Sequence, residues 1–471
     1  MAHAVLPRAA GRDAFPVDPD FPQLETATDL ARMRDLFRAY LKPAAGRHCE
    51  IAECVGLRFR SRQSVSRCVL QYTLRVIEPG TGNSWEEWVS GLLYAKPGEA
   101  ERLYRVLDAA APSRRIPQAV LAFEPVGFIP ELQMVLQLFP YDRKLPQLTV
   151  LLAGPPPELT ALAVARLGPG EWRVERQAIE PTRYRAELGA ALRYTLEAHD
   201  RASGERRTMR CYLKVYRDER GAESYELLEH LADWSGAGPY GVARPIAYLV
   251  PKRLLVLEEA PGAALQQLLL EGGDATPALA AAARAVAAFN QSDLALKRRE
   301  SLAHQLTEVR GAARLVQWGC PELRPAVEAI IAALERSLTD VPEAPIHGDL
   351  KTEHLFVSGE RVIFVDLDAA VLGDPVRDPA HLWAHIAGRL GLDGLAPARA
   401  GRAASTFAET YFRQVPAAWR ARFPLHCAAA LLEVARGIFK RQEPKWREKV
   451  AAAVREAHRV VNAGAISDQL A

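Results

Sequence analysis

A pattern that occurs twice sets the strongest limit on how this 471-residue chain can fold. Tyr72-Thr73-Leu74 returns as Tyr194-Thr195-Leu196, Tyr94 as Tyr216, and Ala100-Glu101 as Ala222-Glu223, each at a spacing of 122 residues. A later run, MVLQLFP from Met134, matches LVLEEAP from Leu255 at a spacing of 121. The stretches around these anchors carry the same local signals. CVLQYTLRVIEPGTGNSWEEWVSGLLYA and LRYTLEAHDRASGERRTMRCYLKVYR each read as two β-rich runs joined by a polar, Gly-containing turn, which is a hairpin signature. GEAERLYRVLDAAA and GAESYELLEHLADW follow with helical periodicity. Four ordered anchors at nearly constant spacing predict a duplicated unit of hairpin, helix and strand.

The rest of the chain divides around these units. Pro and Gly clusters in LLAGPPPELTALAVARLGPGEW mark a junction between them. Beyond residue 262 the sequence turns to Ala/Leu-rich helical periods, broken only by the short apolar runs HLFVSG and RVIFVDLD, which read as a small hairpin. The expected organisation is a loosely ordered tail over 1–24, an α+β domain over 25–165, a sheet-bearing lobe over 170–262 and a helical lobe over 263–471. Composition agrees with a soluble protein: 49% of residues are hydrophobic, 25% charged, and the formal net charge is +3. No basic block stands out, so nucleic acid is not an expected partner. The most apolar later run is too short and too interrupted to cross a bilayer, so no membrane association and a cytoplasmic location are expected. Six scattered cysteines lack any CxxC pair and read as reduced, buried thiols.

The stretch PIHGDLKTEHLFVSGERVIFVDLDAAVLGDPVRDPAHL, residues 345–382, carries the chemistry. His347-Gly348-Asp349 precedes the small hairpin and Asp366 ends its second strand, so both carboxylates belong to one mouth. Phosphoryl transfer to a hydroxyl needs one carboxylate to orient the hydroxyl and accept its proton, and another to hold the cation that bridges the phosphates. Such a site also needs a strand lysine and a helix glutamate upstream. Lys214 in CYLKVYR and Glu223 in the following helix fit these parts, with Glu223 preferred over Glu226 because Leu227 and Leu231 share its face. In the first unit Leu92 stands where the second has Lys214, so residues 25–160 are expected to be a degenerate copy that caps or packs. Asp378 before Pro379 reads as a helix N-cap, Asp374 as a turn residue, and His381 with His385 as a partly exposed helix face.

These motifs resemble the aminoglycoside phosphotransferase and choline kinase group of small-molecule kinases over about residues 180–460. The resemblance implies a protein-kinase-like α+β fold, with an antiparallel N-lobe and a mostly helical C-lobe, preceded here by the additional α+β domain. It implies ATP and Mg2+ as cofactors and a small hydroxyl acceptor as partner, such as a sugar, amino sugar or amino alcohol. In that pattern Asp349 is the catalytic base and His347 fixes the catalytic loop. Asp366 is a metal ligand, with Asp368 and His354 as further candidates. Lys214 holds the phosphates, Glu223 pairs with it, and Gly189 lies in the turn above them. Backbone groups of Glu258, Glu259 and Ala260 form the hinge that reads adenine. His354 stands where the family has Asn, and imidazole suits Mg2+ less than oxygen does. The alternative is therefore a weak pseudokinase acting as a nucleotide sensor or scaffold.

Overall fold

Two five-stranded antiparallel sheets share one strand order. The first holds β1 (Glu50–Ser64), β2 (Arg67–Glu78), β3 (Asn83–Tyr94), β4 (Val126–Ile129) and β5 (Met134–Leu138), arranged 1-2-3-5-4. The second holds β6 (Trp172–Arg185), β7 (Gly189–Asp200), β8 (Arg206–Tyr216), β10 (Pro245–Leu249) and β11 (Leu254–Glu258), arranged 6-7-8-11-10, while β9 (Tyr240–Val242) pairs elsewhere. Each sheet is followed after its third strand by a helix, Glu99–Ala109 in one case and Arg220–Trp234 in the other. Before each final strand a three-residue 3-10 turn closes on a left-handed residue, Gln133 (φ 48°) and Arg253 (φ 44°). The registers coincide too: Leu92 lies between Val69 and Val135, and Lys214 between Ala191 and Leu255. This computed structural model describes residues 14–64, 66–110, 116–117, 120–234 and 238–469.

The sheets pack face to face. Val69, Leu92 and Val135 of the first share a core with Leu192, Leu213 and Val256 of the second. The other face of the first sheet, with Cys68, Leu70, Tyr72 and Leu74, is covered by Met33 and Phe37 of the helix Leu30–Tyr40. That core continues into the helices Leu302–Gly319, Arg324–Ser337, Phe423–Arg441 and Trp446–Gln469. Burial on both faces explains why β2 reads as an almost continuous apolar run while β7 alternates.

The first sheet is thus integral to the core. Phe59 of β1 lies 5.8 Å from Trp318 and 6.1 Å from Phe439, between ring centroids. Phe15 stacks on Phe439 at 5.4 Å and Phe21 is fully buried, so residues 14–24 are packed, contrary to the loose tail read from their Pro and Asp content. Residues 1–13 lie outside the described residues. Each such aromatic contributes about 1.5–3 kcal/mol of burial, which outweighs the disordering tendency of nearby prolines.

Gly262, with φ 93°, turns the chain into the helical lobe; a Cβ there would sit 2.2 Å from the Val357 carbonyl oxygen, so only glycine fits. In that lobe β12 (Ala263–Ala264), β14 (Leu355–Ser358) and β15 (Arg361–Phe364) join β9 in the order 12-14-15-9, and β13 (Ala344–Ile346) pairs with β16 (Val371–Gly373). No single helix among the described residues is long and apolar enough to cross a membrane.

Candidate active site

The His347-Gly348-Asp349-Leu350 loop leaves the end of β13 under several restraints. Gly348 has φ 78°, and a Cβ there would lie 2.5 Å from the Ala369 carbonyl oxygen. Asp378 accepts hydrogen bonds from the backbone N–H of His347 (2.7 Å) and Gly348 (3.1 Å), and from Asn290 Nδ2 (3.1 Å). His347 Nε2 donates to the Val365 carbonyl at 2.9 Å, and His354 Nδ1 to the Asp349 carbonyl at 2.9 Å. His381 closes the far side, Nδ1 donating to the Leu350 carbonyl at 3.2 Å and Nε2 to Glu433 at 3.0 Å.

These contacts correct one reading from sequence and extend two. The helix Arg377–Ala384 is capped at Val376 without a side-chain bond, so Asp378 sits inside its first turn and braces the loop instead. His381, partly exposed as expected at 12%, is also bonded at both nitrogens, so it ties the loop to Glu433 rather than only presenting a face. Burial opposes its charge, but Glu433 raises its pKa above 6.5. Asp374, besides its turn, pairs with Arg422 (3.0 Å) and His426 (2.9 Å). Each partner lies tens of residues away, beyond any local pattern.

Asp349 points into the cleft and pairs with Lys351 Nζ at 2.6 Å. Burial works to raise its carboxyl, yet Lys351 and His381 hold it below the usual carboxylate range. Opposite, Lys214 Nζ donates to Asp366 Oδ1 at 2.7 Å and to Asp368 Oδ2 at 2.9 Å. Tyr216 adds a hydroxyl 3.1 Å from Asp368. Burial acts against the Lys214 charge, and Asp368 and Asp366 more than restore it. Asp366 sits in left-handed backbone, φ 61°, which turns its carboxylate toward the lysine. Its carboxyl lies well below its ordinary value despite burial, chiefly because of Lys214.

The expected pairing of Lys214 with Glu223 is not formed. In the helix Arg220–Trp234 the buried positions are Gly221, Ser224, Leu228 and Leu231, which leaves Glu223 exposed on the cleft wall and Glu226 paired with Lys297 at 2.9 Å. Two carboxylates on one turn, each within 3 Å of the ammonium, attract it more strongly than one solvated glutamate can.

His354 is 3% exposed, and its neighbour on one side is fixed: a carbonyl only accepts, so Nδ1 carries the hydrogen. Burial, then His347, pushes its pKa down to about 3, so the ring is neutral. Nε2 therefore presents a lone pair, 3.6 Å from Asp366 Oδ2 and without a hydrogen-bond partner. A nitrogen lone pair beside a carboxylate is a fitting donor pair for a divalent cation.

The loop above the site differs from the expectation for Gly189. Glu187, not a glycine, takes the left-handed position, φ 58°. The loop N–H groups are already used: Ala186 donates to Gln71 Oε1 (3.3 Å), Glu187 to Asp142 (2.7 Å) and Leu188 to the Arg185 carbonyl (2.9 Å). Glu187 itself is buried between Arg67 (2.9 Å) and Arg143 (2.7 Å). The first sheet thus clamps this loop. Gly189 serves close approach of β7 to β8, since a Cβ there would lie 2.8 Å from the Val215 carbonyl oxygen.

Gly189, Lys214, Glu223, Asp349, Asp366 and Asp368 line one cavity of about 1080 Å³. Glu258, Glu259 and Ala260 do not. The Glu258 N–H donates to the Arg244 carbonyl at 2.9 Å and its side chain pairs with Arg166, so neither is available to an adenine. Sequence reasoning missed Lys351, readable as a cation two residues after Asp349, and the cleft cations Arg183 and Arg185, for which the sequence held no signal.

Residues 191–422 match the model of the phosphotransferase enzyme family. This part of the chain is similar to that family. Solved structures similar to this chain include a choline/ethanolamine kinase family protein from Mesorhizobium loti (15% identity, 66% of this chain and 97% of that one, TM-score 0.41). Another is a thermostable mutant of the aminoglycoside phosphotransferase APH(4)-Ia (13% identity, 65% and 99%, TM-score 0.44). No curated protein matches. The family match covers the second sheet from β7 onward and most of the helical lobe, and leaves the first sheet outside it.

Proposed function

We propose that the chain is an ATP-dependent phosphotransferase that moves the γ-phosphate to a hydroxyl of a small molecule. The observation that carries this reading is the convergence of Lys214, Asp366, Asp368 and Asp349 on one cavity. The acceptor oxygen forms a bond to the γ-phosphorus, the bond from phosphorus to the β,γ-bridging oxygen breaks, and ADP leaves. Asp349, kept ionised at neutral pH, orients the hydroxyl and takes its proton. Lys351 beside it offers charge to the transferring phosphoryl oxygens. Lys214 exchanges its carboxylate partners for phosphate oxygens. Asp366, Asp368 and His354 Nε2 are suited to hold a divalent cation, which would neutralise charge on the phosphates.

A second reading, a nucleotide-binding chain with little turnover, draws support from the loop N–H groups already spent on Gln71, Asp142 and Arg185. Titration of AMP-PNP with Mg2+ or Mn2+, followed by ATP turnover against neutral, cationic and anionic hydroxyl acceptors, separates the two. The kinase reading expects binding that is lost in Lys214→Ala and acceptor-dependent turnover. Binding without turnover on any acceptor favours the second reading, and no binding at all sinks both.

A further inference from the structure

Five cations gather where β1 and β6 approach each other, two of them on the wall of the catalytic cavity. Arg183 and Arg185 alternate along β6 with the buried Tyr184 and Ala186, and both line the catalytic cavity. Arg58 and Arg60 flank Phe59 on β1; since Phe59 faces the helical core, the two arginines leave the opposite side of the strand. Arg58 pairs across the sheet with Gln71, whose Nε2 donates to the Tyr184 carbonyl at 3.1 Å, which places this face against Arg183 and Arg185. Lys440 follows Phe439 on the helix Phe423–Arg441, against the same strand.

Among the described residues, none of these five has a hydrogen bond or ion pair to a carboxylate, and Arg60 Nε is buried without any partner. Glu443, the acid that acts on Arg58, is taken up by Arg389 (2.7 Å), Arg441 (2.7 Å) and Lys449 (3.1 Å). Burial and mutual repulsion push Arg58 down to about 10, Arg60 to about 9 and Lys440 to about 8. Arg58, Arg60 and Lys440 are half-buried, while Arg183 and Arg185 are exposed on the cavity wall, where the catalytic carboxylates act on Arg185; like charges gathered with so little counter-charge destabilise a fold, so the arrangement makes sense when an anion completes it. Arginine forks match phosphate oxygens in pairs, whereas an amino sugar or amino alcohol would meet only repulsion.

We infer that Arg58, Arg60, Arg183, Arg185 and Lys440 form a binding site for a phosphate group of the acceptor, so the substrate is a phosphorylated sugar or polyol. The inference rests on the phosphotransferase reading for its orientation toward Asp349. The first sheet then has a part in substrate binding, because β1 supplies two arginines to the neighbouring site although Leu92 replaces the phosphate lysine there.

The proposal is tested by calorimetric titration of inorganic phosphate, then glycerol 3-phosphate, into the full chain saturated with AMP-PNP, alongside Arg58→Gln/Arg60→Gln. The expected result is phosphate binding additional to the nucleotide, weakened about tenfold or more in the double variant through loss of charge-assisted contacts, with AMP-PNP affinity kept. The variant should also melt at a higher temperature than the parent without phosphate, because repulsion is relieved, and lose the phosphate-induced rise. Absence of phosphate binding, equal binding by the variant, or competition between phosphate and AMP-PNP would overturn the proposal. If AMP-PNP fails to bind, the phosphotransferase reading falls separately, and phosphate titration of the nucleotide-free chain still reports on the cluster.

Discussion

Replacing Asp378 by Ala should cost far more than the loss of a helix cap, and should reach the chemistry. The carboxylate is 1% exposed and accepts three N–H bonds, two of them from the backbone of His347 and Gly348. Alanine leaves both backbone donors without a partner in a buried place. At roughly 1–3 kcal/mol for each, the loss is about 2–6 kcal/mol, against about 1 kcal/mol for removing an N-cap. Asp378→Asn keeps the volume but turns one accepting oxygen into a donor facing a donor, so it should fall between the parent and Asp378→Ala. The assay is urea denaturation followed by tryptophan fluorescence, paired with turnover at saturating ATP. Turnover should fall with stability, because the same two N–H groups fix the path of the backbone into Asp349. A stability loss near 1 kcal/mol with unchanged turnover would refute the bracing role and return Asp378 to the cap that its Pro379 neighbour suggests.

Three further outcomes follow from the geometry. His354→Asn should shift cation preference from Mn2+ toward Mg2+ by about tenfold in metal-dependent AMP-PNP binding, as a nitrogen ligand gives way to oxygen; an unchanged ratio would remove His354 from the cation site. The His381–Glu433 pair confines stability from both sides. His381 is raised above 6.5 in the fold, so its contribution is complete below that value and is lost as pH rises through the folded pKa; Glu433, lowered from 4.5 to about 2, contributes fully above 4.5 and loses this as pH falls toward 2. Denaturation midpoints against pH should fall at both ends, and His381→Gln should flatten the alkaline fall. Removing residues 1–169 should abolish folding, since it uncovers the apolar faces of the second sheet and of four helices; a cooperative melt of the truncated chain would contradict the shared core.

What could be read in the sequence was local or periodic. The hairpins, the helix after each, the small hairpin beyond His354 and the duplication all rest on spacing along the chain, and Leu92 falls in the same register slot as Lys214. The two carboxylates of the proposed chemistry are on view in the same way, because Asp349 and Asp366 flank one hairpin. What escaped was set by burial and by distance. Glu223 and Ser224 differ by one position, about 100° around the helix, and which faces the core depends on packing that the apolar pattern did not resolve. The basic cluster draws on residues 58, 60, 183, 185 and 440, so a near-neutral sequence without any basic run still gathers like charges in the fold. The spent N–H groups of Ala186 and Glu187 depend on Gln71 and Asp142, more than forty residues away.

The most direct test of phosphotransfer by Asp349 is 31P NMR of the full chain with ATP, a divalent cation and a hydroxyl acceptor, run beside Asp349→Asn. The account predicts that the γ-phosphate resonance declines as a new phosphate-ester resonance on the acceptor appears, and that Asp349→Asn binds AMP-PNP but produces none. A phosphate ester formed equally by Asp349→Asn, or decline of ATP to inorganic phosphate alone with every acceptor, would contradict it.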